Sequence, residues 1–155
     1  MKIIVFSDSH GDVENMILAV EQERPDMALH LGDGWRDALS LRRRYPDLPL
    51  AQVPGNCDFR GSEAAVRVLE AEGRRILLCH GHTLGVKTGQ DLLLAEALER
   101  GADAALFGHT HQPYVEYRSG VWLFNPGSIG DFRHPSYGTL LIEDGKFYPS
   151  LWTLD

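Results

Sequence analysis

The sequence predicts an α/β fold in which two β-sheets pack together between flanking helices, a layered αββα sandwich. Strand and helix patterns alternate through the first two-thirds of the 155 residues, as they do in proteins with parallel sheets. The last third contains pairs of strand patterns separated by short turns, which indicate antiparallel hairpins. A chain of this length is expected to form a single domain, residues 1–155, around one core.

The first elements follow from hydrophobic periodicity. Ile3 to Phe6 is an apolar run without alternation, as expected of a strand that is covered on both faces. Asp12 is a good N-cap for a helix over 12–23, where apolar residues recur at helical spacing. The pattern then predicts a strand over 27–31, a helix over 35–45 and a short strand over 49–54.

Turn and capping signals define the remaining elements. Glu72-Gly73 is predicted to join two hairpin strands, over 65–71 and 74–79. The pattern Thr88-Gly89-Gln90-Asp91 resembles a capping box and predicts a helix from Thr88 to Arg100, closed by Gly101. The remaining strands are predicted over 104–107, 114–118, 121–124, 137–142 and 146–151.

The composition favours a soluble cytoplasmic protein that acts on a small substrate. A formal net charge of −7 argues against a surface that binds nucleic acid. The apolar run at the N-terminus is too short for a signal peptide, and no later run approaches the length of a membrane span. Cys57 and Cys79 fit a reducing compartment better than a disulfide framework. The oligomeric state is left open, and a homo-oligomer is compatible with the sequence.

Side chains that can bind metal ions follow most of the predicted strands. They are Asp8, His10, Asp33, Asn56, His80, His109 and His111. Any one of them has an ordinary alternative role as a helix cap or a loop residue. Together they are expected to converge, because parallel strands place their carboxyl ends at one edge of a sheet. The set is too large for one zinc ion and suits two ions that share a bridging carboxylate.

Such a pair of ions supports phosphoester hydrolysis. Two metals about 3.5–4 Å apart can deprotonate a bridging water, hold a phosphoryl oxygen and stabilise the charge that develops during in-line attack. The oxygen and nitrogen donors do not select one metal, because the order of affinities among first-row divalent ions is nearly the same for any such site.

The motifs resemble those of the calcineurin-like metallophosphoesterase superfamily. They are Asp8-x-His10, Gly32-Asp33, Gly55-Asn56, His80-Gly81-His82 and Gly108-His109-Thr110-His111, with Asn125-Pro126-Gly127-Ser128 further along the chain. The short chain and its Gly-Asn-Cys-Asp sequence are similar to the small YfcE-like phosphodiesterase branch, which also includes VPS29. The resemblance implies a dinuclear phosphodiesterase that hydrolyses small phosphodiesters through attack by a metal-activated bridging hydroxide.

The resemblance also implies how the ligands are shared. Asp8, His10 and His111 would bind the first ion. Asn56, His80 and His109 would bind the second, and Asp33 would bridge the two. We also predict a catalytic role for Asn56. Family members use Mn²⁺, Ni²⁺, Zn²⁺ or Fe, and we expect Mn²⁺ here.

The third motif departs from the pattern of many superfamily members. They have a histidine after Gly-Asn that is assigned the protonation of the leaving group, whereas this chain has Cys57. A thiol with a pKa near 8.5 is a poor general acid at neutral pH. His82 is a candidate substitute, and a supporting or loop histidine is an equally good interpretation of it. Since the small branch shares the cysteine, its presence does not exclude catalysis.

Other residues and functions offer alternatives to this assignment. His30 is predicted to lie in the core or to support the ligands, and Arg133 and His134 to lie in a solvated loop. A non-catalytic, VPS29-like protein-interaction scaffold is the main alternative function. A nuclease is less favoured, because the chain is acidic and lacks a stripe of aromatic and basic residues. The natural substrate and the acceptance of phosphomonoesters are left open.

Overall fold

The computed structural model describes residues 1–59 and 63–154. Within these residues the first elements are β1 (Lys2–Phe6), α1 (Val13–Glu23), β2 (Met27–His30), α2 (Trp35–Arg44), β3 (Leu50–Gln52), β4 (Val66–Ala71) and β5 (Arg74–Cys79). They are followed by α3 (Asp91–Glu99), β6 (Ala104–Leu106), β7 (Tyr114–Arg118), β8 (Val121–Asn125), β9 (Ser136–Glu143) and β10 (Lys146–Thr153). None of the helices in this described part is long and apolar enough to cross a bilayer.

The strands form two mixed sheets of five strands each, which confirms the predicted αββα sandwich. The strand order is β10-β9-β1-β2-β3 in the first sheet and β4-β5-β6-β8-β7 in the second. In the first sheet β1, β2 and β3 are parallel, and in the second sheet β5, β6 and β8 are parallel. The C-terminal hairpins are divided between the sheets, since β7 and β8 join the second while β9 pairs with β1 in the first.

The layers explain the unbroken apolar run of β1. Ile3 and Val5 point into the core between the two sheets. Ile4 and Phe6 point the other way and pack in the cluster formed with α1 and α2. The outer face of the second sheet is covered by α3, which contributes Leu93 to a third cluster. Both faces of β1 are therefore buried, as its sequence predicts.

The two predicted helix starts had different outcomes. Asp12 caps α1 as predicted, with its side chain accepting a hydrogen bond of 3.0 Å from the Asn15 N–H. The predicted start at Thr88 is wrong, because α3 begins at Asp91. Gly89 has φ of +145°, a conformation that breaks the helical path, and the Thr88 hydroxyl bonds to the Gly85 carbonyl instead.

The hairpin turns are confirmed where Asp, Glu or Ser precedes Gly. Glu72 and Gly73 have φ of 52° and 77°, and Asp144 and Gly145 have φ of 50° and 74°. Two successive positive φ values are typical of type I′ turns, which match the twist of the strands that they join. Ser119-Gly120 has the same pattern between β7 and β8.

Candidate metal centre

The predicted metal ligands lie where strands of both sheets end. Asp8 and His10 follow β1, and Asp33 follows β2 in the same sheet. In the second sheet His80 follows β5, while His109 and His111 follow β6. The two parallel pairs, β1 with β2 and β5 with β6, therefore deliver their ligands to one edge of the sandwich.

One oxygen of Asp8 lies among three histidines. Oδ1 is 3.1 Å from Nε2 of His111, 3.7 Å from Nε2 of His10 and 3.8 Å from Nε2 of His80. This oxygen is buried and has no hydrogen-bond partner among the described residues. A buried carboxylate oxygen without a partner is costly, and one that faces imidazole nitrogens is suited to bind a metal ion.

The other oxygen of Asp8 fixes the orientation of the carboxylate. Oδ2 accepts hydrogen bonds from the Ser7 hydroxyl at 2.5 Å and from the His109 N–H at 3.1 Å. The loops after β1 and β6 approach so closely that Gly108 has no room for a side chain. A Cβ there would lie 2.0 Å from Ser7 Oγ and 2.8 Å from Asp8 Oδ2. The glycine of this motif is therefore required by the contact between the two loops.

A second group forms around His80, which is fully buried. Its Nε2 lies 3.4 Å from Asp33 Oδ2 and 3.2 Å from Nδ1 of His109. Its Nδ1 lies 2.8 Å from the Leu31 carbonyl, and since a carbonyl can only accept, this nitrogen carries a proton. That hydrogen bond turns Nε2 toward the cluster. Asp33 is held in turn by the Cys57 N–H, which donates to Oδ1 at 2.8 Å.

Electrostatics keeps this group in a form that can bind cations. Burial opposes the ionisation of Asp33, but the hydrogen bonds from His80 and Cys57 outweigh it and hold its pKa below the usual range. Burial opposes the protonation of His80, but the carboxylates of Asp33 and Asp8 outweigh this effect and raise the pKa of His80. Asp33 is therefore an anion at ordinary pH, and a metal ion bound by His80 would compete with a proton.

The donors fall into two overlapping groups. Ligand atoms of Asp8, His10 and His111 lie within 4.8 Å of one another, and so do those of Asp8, Asp33 and His80. Carboxylate oxygen and imidazole nitrogen together suit divalent transition metals, so either group has the donors to hold such an ion. Asp8 belongs to both groups and Asp33 to one. The side chain of Asn56 is exposed, and the hydrogen bond described for it is to Cys57 Sγ at 3.6 Å.

The backbone at most of these residues is left-handed. Positive φ values between 45° and 69° occur at Asp8, His10, Asp33, His109 and His111. Residues with a side chain rarely adopt this conformation, and each instance costs about 1 kcal/mol or more. Strain of this kind is typical of functional sites, where the surrounding structure holds a side chain in place. Five of the seven predicted ligands share it.

Asp58 supports the site and is not among the residues predicted from the sequence. Its Oδ2 accepts the backbone N–H groups of Asp33 at 2.9 Å and Gly55 at 2.8 Å. Its Oδ1 accepts those of Gly34 at 3.2 Å and Trp35 at 3.1 Å. The carboxylate therefore caps α2, whose N-cap is a glycine, and holds the turn that presents Asp33. Its position as the last residue of the Gly-Asn-Cys-Asp motif was the sequence feature that could have identified it.

We expect Asp58→Asn to lower the free energy of unfolding by about 1–3 kcal/mol, because the amide nitrogen cannot accept the N–H groups that one carboxylate oxygen now accepts. Chemical denaturation measures the change. Asp47→Asn, at an exposed position, is the control and should be nearly neutral. Equal effects of the two substitutions would contradict this role of Asp58.

His30 also supports the ligand loops. It is 1% exposed, and its Nδ1 accepts the Gly32 N–H at 3.2 Å. Its Nε2 lies 2.9 Å from Ser9 Oγ, which donates to Asp37 Oδ2 at 2.6 Å. Burial, opposed by nearby carboxylates, lowers the pKa of His30 to about 4, so the ring is neutral. It connects the loops after β1 and β2 with α2, as expected of a core residue.

The end of β8 and the loop that follows it bind the ligand loops from another side. Asn125 Nδ2 donates to the Gly108 carbonyl at 3.1 Å and to Thr110 Oγ1 at 2.9 Å. Ser128 Oγ donates to the Asp8 carbonyl at 2.7 Å. The motif at 125–128 therefore supports the ligand loops of both sheets. Arg133 and His134 are exposed, as predicted for a solvated loop.

The two candidates for proton transfer lie beside the cluster. The ring of His82 is 5.5 Å from that of His80 and 6.2 Å from that of His109. Its Nδ1 has no partner among the described residues, and burial followed by the charge of His80 lowers its pKa. Cys57 is exposed, and desolvation together with the Asp33 carboxylate raises the pKa of its thiol. The catalytic roles of His82 and Asn56 stay predictions.

Comparison with known families identifies the chain. Residues 1–145 match a family model described as the calcineurin-like phosphoesterase superfamily domain. The chain belongs to this superfamily. The family predicted from the motifs is thereby confirmed, and so is the phosphoesterase class that it implies.

Members of the superfamily resemble the chain over most of its length. It is 37% identical over 150 residues to a Bacillus subtilis protein named "Probable metallophosphoesterase YsnB", covering 93% of this chain and 86% of that one. It is 29% identical over 153 residues to phosphodiesterase YfcE of Escherichia coli, covering 83% and 79%. The structure of wild-type Vps29 from Entamoeba histolytica, complexed with Zn²⁺, has a TM-score of 0.77 and 20% identity over 99% of both chains. That likeness shows the fold alone.

Proposed function

We propose that this member of the superfamily is a dinuclear metal-dependent phosphodiesterase that hydrolyses small phosphodiesters. The observation that carries the proposal is the buried Asp8 Oδ1, which has no hydrogen-bond partner among the described residues and faces three imidazole nitrogens within 3.8 Å. The group around Asp33 and His80 extends the donor set beyond what a single ion takes.

Each ion is assigned its own ligands. Asp8, His10 and His111 would hold the first, and His80, His109 and Asn56 would hold the second, with Asp33 shared between them. Two divalent ions bound there supply Lewis acidity and an activated water for attack on phosphorus. Mn²⁺ is the metal that we expect, while Ni²⁺, Zn²⁺ and Fe suit the same donors.

Burial differs between the two ligand groups and suggests where the substrate enters. The side chains of His10 and His111 are 41% and 45% exposed, whereas those of Asp8 and His80 are fully buried. A phosphodiester therefore reaches the cluster from the side of His10 and His111. Asp8 and His80 are oriented from behind, by hydrogen bonds to the Ser7 hydroxyl and to the Leu31 carbonyl respectively.

The alternative is a protein-interaction scaffold that keeps the fold without catalysis, as in the Vps29-like interpretation. Metal binding cannot distinguish the two, because the Vps29 structure above was itself solved with Zn²⁺. Hydrolysis can. The metal-free protein, reconstituted in turn with Mn²⁺, Ni²⁺, Zn²⁺ and Fe²⁺, should cleave an aryl phosphodiester with at least one of them. Bound metal without cleavage of any diester would favour the scaffold.

His80→Ala and His111→Ala should each lower the occupancy of a different ion, because each removes one imidazole from one ligand group. Anomalous scattering from crystals of the Mn²⁺-loaded variants would show which ion is weakened. His134→Ala, in the exposed loop, is the control and should retain both ions. Loss of the same ion in both ligand variants would contradict the assignment.

A further inference from the structure

A cleft of about 520 Å³ opens directly beside the candidate metal centre. His10 and Asp33 of the candidate centre line it together with Trp35, Arg36 and Phe59. Small-ligand pockets in proteins commonly have volumes of about 300–1,000 Å³, so the cleft can hold a ligand of mononucleotide size. It is the continuation of the centre toward the N-terminal turn of α2.

The carboxylates in the cleft wall are already hydrogen-bonded within the protein. Asp37 Oδ2 accepts the Ser9 hydroxyl at 2.6 Å and the Gly11 N–H at 2.7 Å. Asp58 accepts four backbone N–H groups, as described above. Both carboxylates therefore already accept hydrogen bonds from groups of the protein. The exposed guanidinium of Arg36 lies in the same wall and offers donors to an anion.

An exposed aromatic ring is among the residues that line the cleft. Of the six phenylalanines, four are buried and two, Phe59 and Phe132, are 99% and 97% exposed. Phe59 lines the cleft together with Trp35, whereas Phe132 is not among the lining residues. Aromatic side chains next to a cationic group are the combination by which proteins bind single nucleotides, through stacking of the base and pairing with phosphate.

We propose that this cleft is a nucleotide subsite, in which the base packs against Trp35 and Phe59 and a phosphate pairs with Arg36. The inference rests on the proposed function and names its substrate class, small phosphodiesters of nucleosides. Hydrolysis of such a diester adds one water across the P–O ester bond and yields a phosphomonoester and an alcohol. The cleft would hold the nucleoside, and its one ester phosphate would lie where the cleft meets the metal ligands, paired there with Arg36.

Calorimetric titration of the Mn²⁺-loaded protein with AMP and with ribose 5-phosphate isolates the contribution of the base, since the two probes share sugar and phosphate. We expect AMP to bind at least about tenfold more tightly, which corresponds to about 1.4 kcal/mol. Phe59→Ala should remove most of that preference, and Phe132→Ala, an equally exposed phenylalanine outside the cleft, should leave it unchanged. Similar affinities for the two probes in the parent protein would overturn the inference.

The phosphate contact has its own matched pair of variants. Arg36→Met should lower the affinities for AMP and for ribose 5-phosphate alike by about tenfold, because a cation that pairs with phosphate does not distinguish the two probes. Arg43→Met, on the last turn of the same helix, should weaken neither. Equal effects of Arg36→Met and Arg43→Met would remove Arg36 from the subsite.

The outcomes separate this inference from the function on which it rests. A preference for AMP that depends on Phe59, in a protein that hydrolyses no diester, would support the subsite and refute the phosphodiesterase proposal. Hydrolysis of aryl diesters without any preference for AMP would support the phosphodiesterase and refute the nucleotide subsite. Thermal unfolding of each variant checks that the surface substitutions leave the fold intact.

Discussion

Asp33→Asn should remove nearly all phosphodiesterase activity and weaken the binding of both metal ions. The substitution keeps the shape of the side chain but removes a negative charge that, in the proposed assignment, is shared by two cations. The loss of several kcal/mol of charge stabilisation corresponds to a rate decrease of about 10³-fold. Elemental analysis of metal content together with the rate on an aryl phosphodiester would measure both effects.

A second aspartate provides a matched control for this substitution. Asp144 also has a left-handed backbone, with φ of 50° compared with 57° at Asp33, but lies in the hairpin turn between β9 and β10. Asp144→Asn should therefore leave activity and metal content unchanged. Retention of two ions with unchanged affinity in Asp33→Asn would show that Asp33 is not shared. Loss of both ions in Asp8→Asn alone would assign the bridge to Asp8, which belongs to both ligand groups.

Diesters with aryl leaving groups should be hydrolysed much faster than those with alkyl leaving groups. Only the alkyl alcohol needs a proton in the transition state, and Cys57, whose thiol pKa is raised, is a poor donor of that proton. Cys57→His should then increase the alkyl-ester rate by about 10²–10⁴-fold while hardly changing the aryl-ester rate. The position suits this test, because its backbone N–H bonds to Asp33 and its side chain is exposed.

Two further variants identify the source of the proton. Cys57→Ser lacks an acidic group of suitable pKa and should not reproduce the gain of Cys57→His. His82→Ala should cause a large loss confined to alkyl esters if His82 is the substitute acid, and an equal loss on both ester types if it supports the ligands. A rate independent of leaving-group pKa, with the chemical step shown to be rate-limiting, would refute this account of Cys57.

The sequence predicted the positions of the candidate ligands because local patterns determine where buried strands end. The apolar run of β1 and the turn that follows it place Asp8 and His10 at a strand terminus without any knowledge of the rest of the chain. Parallel pairing then brings separate termini to one edge. The approach of Asp8 to His80 joins different sheets, so it depends also on how the two sheets pack together.

Features that depend on the approach of distant segments were not predicted. The four hydrogen bonds of Asp58 join a loop to the start of a helix about 25 residues earlier in the chain. The left-handed backbone at His109 and His111 is a strained conformation that only the folded environment imposes. The false helix start at Thr88 has the same origin, because a pattern of residue types does not reveal the positive φ of Gly89.

The central position of β1 has a consequence for the order of events during synthesis. Residues 3–6 pair with β2 on one side, and residues 2–5 pair with residues 138–141 of β9 on the other side. The ribosome adds about 5–20 residues per second, so this second edge stays unpaired for about ten seconds after β1 has been made. During that interval a strand whose Ile3 to Phe6 are fully buried in the finished protein lacks its neighbour. The nascent chain therefore depends on its last hairpin to protect its first strand from association with other chains.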